Sequence, residues 1–157
     1  MTATITFAPI GIIHSPYHDP KQVPRQPSEA NGVGGTVEIF PEYTEGLSDL
    51  DGFSHIILVY YFLRAAEARL KVIPSRDTVP RGIFATRSPS RPNPIGLSIV
   101  RLEQIDGNTL YVHNLDIIDG TPLLDIKPYL PELSRQRGAK LGWLEKVHGQ
   151  ARKDSGS

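Results

Sequence analysis

The chain has 157 residues, 39% of them hydrophobic, which suits one globular domain with a real core. It carries no cysteine, so a disulfide framework, a thiolate nucleophile and a zinc site built from thiolates are excluded, and a formal charge of +0 argues against wholesale nucleic-acid binding. No apolar run approaches the roughly 18 residues of a membrane helix, and the opening "MTATITFAPIG" lacks the basic and apolar regions of a signal peptide, so a cytoplasmic protein is expected.

The first element is "ITFAPIGIIHSPY", whose β-branched residues read as a strand ending in a turn at Ser15-Pro16. From His18 to Gly35 the chain is polar and rich in proline and glycine, a long irregular loop of the kind that is functional or disordered. "GTVEIF" alternates as a half-buried strand does, and "PEYTEGLSDLDGF" reads as a turn plus a short helical segment carrying Leu47 and Leu50. "SHIILVYYFL" is apolar without a break, which predicts a strand buried on both faces at the centre of the core. "RAAEARLKV" predicts about two helical turns, from Ala65, Ala66 and Ala68 and the spacing of Glu67 and Lys71. "IPSRDTVPRG" breaks it, and "IFATR" and "GLSIVRLEQI" read as strands on either side of a proline loop. Asp106-Gly107 between alternating runs predicts a hairpin with a partner strand at about Thr109 to Leu115, and Asp119-Gly120 marks a second turn. Beyond Leu133 the chain turns basic and Gly-rich, and "QARKDSGS" reads as frayed. About seven strands, one or two short helices and no regular βα alternation predict a mostly β, largely antiparallel barrel or sandwich. The expected organisation is one domain over residues 1–133 and a basic, partly flexible tail over 134–157. No internal repeat is visible, so a solenoid or propeller is not expected.

Familiar catalytic signatures are missing. "GVGG" follows "PSEAN" rather than a strand, and there is no Walker-type lysine loop, no HExxH and no Gly-x-Ser-x-Gly elbow. His14, His18, His55, His113 and His148 lack ligand spacing, so no metal site is expected. What stands out is "ATRSPSRPNPIG". Pro89, Pro92 and Pro94 fix their own φ and push Ser88, Arg91 and Asn93 out of the helical region, so the loop is stiff before anything binds. It presents Arg87 and Arg91, and it closes a basic stretch in which Arg64, Arg69, Lys71, Arg76 and Arg81 outnumber Glu67 and Asp77. Such runs are also what an ordinary solvated surface looks like. Arginine grips a carboxylate or phosphate through a planar fork, and an aspartate at a turn (Asp116, Asp119 or Asp125) can accept from ribose hydroxyls, so the set suits a nucleoside joined to a carboxylate. Asp119 before a glycine is equally what a plain turn needs, and Asp116, alternating with Leu115 and Ile117, is equally suited to solvent.

"FATRSPSRPNPIGLSIVRL", with "IGIIHSPY", "VPRQP", "FSHIILVYYF" and "LDIIDGTPLLDIKPYLP", resembles the TrmO, or TsaA-like, family, in order over roughly Ile5 to Pro131. The resemblance implies a homodimeric β-barrel that uses S-adenosyl-L-methionine to methylate N6 of N6-threonylcarbamoyladenosine, beside the anticodon of threonine tRNAs. By motif it implies a cofactor site of Pro24, Arg25, Gln26, Leu63, Arg64, Arg87, Arg91, Leu97, Asp119, Gly120, Thr121 and Pro122. Arg69, Lys71, Arg76 and Arg81 are the candidates for gripping the anticodon stem-loop, and Tyr60 and Tyr61 for stacking on a base. Methyl transfer needs alignment rather than a side-chain nucleophile, so Arg87 and Asp119 enter as positioning candidates. The same cofactor chemistry on another substrate, and a non-catalytic nucleotide- or RNA-binding module, are the alternative readings. "LR" at positions 63 and 64 and the short basic end around Trp143 depart from the family pattern, which often continues into a further C-terminal domain.

Overall fold

The computed structural model describes residues 3–24, 32–134 and 136–146. Its strands are β1 (Gly11–His14), β2 (Gly34–Ile39), β3 (His55–Tyr61), β4 (Lys71–Val72), β5 (Arg81–Gly82), β6 (Ile95–Asp106), β7 (Thr109–His113) and β8 (Thr121–Pro128), followed by one helical turn, α1 (Pro131–Ser134). Six of them close a barrel in the order β1-β2-β7-β6-β3-β8, every neighbouring pair antiparallel, and β4 and β5 form a separate two-stranded ribbon. Closure leaves the barrel no free sheet edge.

Alternation decides what fills the interior. Gly96, Ser98, Val100 and Leu102 of β6 point inward, as do Ile56, Leu58 and Tyr60 of β3, Val37 and Ile39 of β2 and Leu110 and Val112 of β7. Leu115 and Ile117, from the loop after β7, complete the core. Burying each large aliphatic side chain contributes about 1.5–3 kcal/mol, so the barrel interior is the main source of stability.

The sequence expectations need four corrections. β3 is buried on one face: Ile57 and Val59 on its outer face are half-buried and Tyr61 is exposed, because among the described residues no second layer of strands or helices covers the barrel wall here. "RAAEARLKV" forms no helix. Two turns without a packed apolar stripe fall below the length at which a helix holds, and pairing of β4 with β5, continued by Ile83 N–H donating to Leu70 O at 2.9 Å, takes the segment instead. "IFATR" is not a strand, since Ile83 drops into the interior while Ile83–Ala85 make a 3-10 turn that Thr86 closes onto Ile83 O. The hairpin turn is Gly107-Asn108 rather than Asp106-Gly107, as Asp106 pairs with Thr109 and Gly107 takes the positive φ of 61°. The "QARKDSGS" end lies outside the described residues, but the part of the tail before it folds back: Trp143 Nε1 donates to Ala85 O at 2.8 Å.

Candidate functional site

Antiparallel closure brings one end of every barrel strand to a common mouth. There β1 runs out into Ser15–His18, β3 into Phe62–Arg64 and β7 into Asn114–Asp119, while β6 and β8 enter from the proline loop and the Asp119-Gly120 turn. Leu63, Arg64, Arg87, Arg91, Asp119, Gly120, Thr121 and Pro122 therefore all belong to loops or strand ends at this mouth. Pro24 sits half-buried just before the segment 25–31, so Arg25 and Gln26 fall outside the described residues.

Hydrogen bonds knit these loops together. Asp119 N–H donates to Tyr17 O at 2.7 Å and Gly120 N–H to Ile13 O at 2.8 Å, while Asp119 Oδ1 accepts from Ser15 N–H at 3.0 Å. His14 and His18 also face the Asp119 carboxylate, at 3.7 and 3.6 Å. Asp119 is thus largely engaged in joining β1 to the β8 turn. Gly120 has φ 84°, a conformation other residues take with strain, and Leu63 lies beside it. Arg64 Nη1 donates to His18 O at 3.1 Å. Thr121 is buried, its hydroxyl donating to Ile118 O. Leu97 is set apart: it lies on the outer wall of β6, half exposed.

The two loop arginines have different work. Arg91 Nη1 donates to Thr86 O at 2.9 Å and Ser88 O at 3.1 Å, so its guanidinium braces the loop from inside. Phe62 N–H to Pro94 O and Arg69 N–H to Ser90 O tie the loop to its neighbours. Arg87 is exposed and makes no hydrogen bond or ion pair among the described residues. Its charge bears on Tyr60 and Asp116. Of the four candidates for RNA, Arg69 and Lys71 are exposed, whereas Arg81 is engaged: its Nε donates to Asp77 Oδ2 at 2.7 Å and its guanidinium lies 5.4 Å from the centre of the Trp143 ring. Arg76 also has a partner.

One polar chain went unrecognised in the sequence. Ser98 Oγ donates to Asp116 Oδ1 at 2.7 Å and lies 2.9 Å from the Tyr60 hydroxyl, so β3, β6 and the loop after β7 are joined through the top of the core. Burial pushes the Tyr60 hydroxyl up to about 12, with the Asp116 charge adding to it. Burial likewise raises Asp116, against the pull of the Ser98 hydrogen bond, its own backbone N–H and Arg87. The signal available was the phase of β6: with Val100 and Leu102 inward, Ser98 is inward too, and a buried hydroxyl needs a partner.

Two concavities flank the barrel. A groove of about 730 Å³ runs beside the mouth between the N-terminal segment and Tyr61, Asn93, Pro94, Ile95 and Pro122. A cavity of about 780 Å³ opens at the opposite end, among Ile39, Tyr43, Phe53 and the carboxylates Glu42, Glu45, Asp49 and Asp125, where no candidate residue but Asp125 lies. Among the described residues no group of His, Asp and Glu has the geometry to hold a metal ion, and no helix is long and apolar enough to cross a membrane.

The mouth fits S-adenosylmethionine in kind. The exposed Arg87 guanidinium, unpaired among the described residues, suits its carboxylate, and apolar Leu63 beside the open Gly120 backbone suits a nucleoside. The chain is 56% identical over 145 residues to a probable S-adenosyl-L-methionine-binding protein of Pyrococcus abyssi, covering 92% of this chain and 79% of that one. It is 39% identical over 139 residues to the tRNA (adenine(37)-N6)-methyltransferase of Escherichia coli, covering 82% of this chain and 59% of that one. The crystal structure of TrmO from Pseudomonas aeruginosa superposes with a TM-score of 0.76 at 38% identity, over 89% of this chain and 62% of that one. The family described as tRNA-methyltransferase O N-terminal domain matches residues 12–135, most of the barrel included, and the chain belongs to that family.

Proposed function

We propose that this protein is an S-adenosylmethionine-dependent tRNA methyltransferase that modifies N6 of the adenosine beside the anticodon, in its threonylcarbamoyl form in threonine tRNAs. What supports this reading is the gathering of most of the described cofactor candidates, Leu97 apart, at one barrel mouth in a member of this family, with Arg87 left unpaired by the described residues. When bound, S-adenosylmethionine supplies an electrophilic methyl group on a sulfonium. The protein's part is to bind, align and dry the site. Arg87 takes the methionine carboxylate, Arg91 keeps the loop that carries Arg87 stiff, and Leu63 with the turn from Asp119 to Pro122 cradles the nucleoside. The resemblance adds Pro24, Arg25 and Gln26 to the residues that bind the cofactor. Arg69 and Lys71, with Arg76 and Arg81, contact tRNA phosphates from the β4–β5 side.

The active form is a homodimer in the cytoplasm. On the outer wall, Ile57 pairs with Ile99, Val59 with Leu97 and Tyr61 with Ile95, an apolar strip that the described residues cover only in part and that a second copy buries. Such a dimer gives Leu97 its route to a bound cofactor. The methyltransferase domain ends near Leu133, and the segment around Trp143 serves to brace it through the bond to Ala85 O.

The test is titration calorimetry of S-adenosylmethionine, then methyl incorporation into threonine tRNA with and without the threonylcarbamoyl group. Saturable binding is expected, weakened tenfold or more by Arg87→Ala, with methylation only of the modified RNA. A folded protein that does not bind S-adenosylmethionine, with or without tRNA, would remove the reading. Equal methylation of unmodified RNA would change its substrate.

A further inference from the structure

We propose that Asp116 is the catalytic base of the methyl transfer, its carboxylate accepting the proton of the nitrogen that receives the methyl group, with Ser98 as the positioning residue that holds it. The inference rests on the function proposed above and deepens it. The exocyclic nitrogen of adenine shares its lone pair with the ring, and an acyl group on it withdraws that pair further. Such a nitrogen is a poor nucleophile while it keeps its proton. As it forms the bond to the methyl carbon, the carbon–sulfur bond breaks with its electron pair going to sulfur, and the N–H electron pair stays on nitrogen as the proton leaves. The product is a neutral N-methyl group, and the proton needs an acceptor within hydrogen-bond reach.

At this mouth the described chain offers two carboxylates on the loop that joins β7 to β8. Asp119 is engaged, accepting from Ser15 N–H and facing His14 and His18. Asp116 is half-buried, is held by one side chain, Ser98, and is in no ion pair among the described residues. The charged and titratable groups bearing on it are Tyr60 from β3 and Arg87 from the proline loop. Tyr60 keeps its proton through the neutral range. Burial makes the Asp116 carboxylate more basic than an ordinary aspartate, while Arg87 and Ser98 favour its ionised form. Arg87 is also the arginine left free for the cofactor, which places base and methyl donor at the same opening.

The experiment compares wild type, Asp116→Asn and Ser98→Ala in single-turnover methyl transfer to threonylcarbamoylated tRNA across pH, with S-adenosylhomocysteine affinity measured by calorimetry on the same samples. The wild-type rate is expected to rise with pH through an ionisation above the ordinary aspartate value. Asp116→Asn is expected to fold, to bind S-adenosylhomocysteine within about threefold of wild type, and to lose at least about a hundredfold in rate with no pH dependence in that range. Ser98→Ala is expected to fall between the two and to move the pH profile. Asp116→Asn retaining more than about a tenth of the rate, or losing S-adenosylhomocysteine binding, overturns the assignment of the base alone. A wild type that binds S-adenosylhomocysteine but methylates no tRNA overturns the proposed function, and the base with it.

Discussion

Gly96 faces Tyr60 across the β3–β6 ladder, and the tyrosine ring folds over the position where a side chain would stand. In Gly96→Ala the new Cβ would lie 2.4 Å from Tyr60 Cε2, 2.6 Å from Tyr60 Cζ and 2.8 Å from Phe62 Cζ, distances that no packed structure keeps. The ring cannot simply swing away. Its hydroxyl is tethered to Ser98 at 2.9 Å, and Phe62 stacks edge-on with its centroid 5.4 Å distant. Overpacking of this kind costs about 1–3 kcal/mol, and the strained or broken hydroxyl bond adds about 0.5–1.5 kcal/mol. Alanine recovers about 0.5–1 kcal/mol by stiffening the unfolded chain. The net expectation is a loss of about 0.5–4 kcal/mol, a large share of the stability of a domain this size. Equilibrium urea unfolding reads it as a lower midpoint at unchanged slope. In a Tyr60→Phe background the tether is gone, so the same glycine change should cost less by about 0.5–1.5 kcal/mol. A loss under about 0.5 kcal/mol in the wild-type background would refute the crowding argument, and equal losses in both backgrounds would refute the tether.

The raised proton affinity of Asp116 also acts on stability. Because the folded state holds this proton more tightly than the unfolded chain, wild type loses stability as pH rises from the ordinary value of 3.8 through the raised folded value. Asp116→Asn lacks that loss, so its stability advantage should grow across this window and level off on either side; a constant difference in melting temperature from pH 3 to 8 would contradict the burial of the charge. Arg91→Ala removes the donor to Thr86 O and Ser88 O, and faster hydrogen exchange at Arg69 N–H, which bonds Ser90 O, is expected with the barrel amides unchanged. Leu58→Ala empties a fully buried site in the barrel and should cost about 2–5 kcal/mol by urea unfolding. Trp143→Phe keeps the ring over Arg81 but deletes the donor to Ala85 O; a loss of about 0.5–1.5 kcal/mol is expected.

The mostly β, antiparallel character was readable because alternation in "GTVEIF" and "TLYVH" and the glycine turns are local signals. Barrel against sandwich was not readable from the local pattern; the barrel came from the family resemblance, and the closed sheet bears it out. That choice depends on β1 pairing with β8, residues more than a hundred positions apart, and nothing local announces it. The helix expected at 64–72 failed for the same reason, since intrinsic preference yielded to a ribbon partner ten residues on. At the site, proline positions marked the loop between β5 and β6, but a sequence cannot say that Arg91 turns inward to bond Thr86 O and Ser88 O while Arg87 stays exposed. Asp116 was equally suited to solvent in the sequence, and the structure instead half-buries it against the inward-facing Ser98.

The seam where β1 meets β8 has a consequence for how the site comes into being. Nearly the whole barrel must be present before Ile13 can meet Thr121, so closure is a late, long-range event, in the slow class of all-β folding, about milliseconds to seconds. The bonds from Asp119 to Tyr17 and Ser15 and from Gly120 to Ile13 form at that same seam. A partly folded chain, or one cut within β8, therefore has no weakened version of the mouth but none at all. Ligand captured there acts as a latch on the finished barrel, and its protection should extend to every strand rather than to the loops it touches.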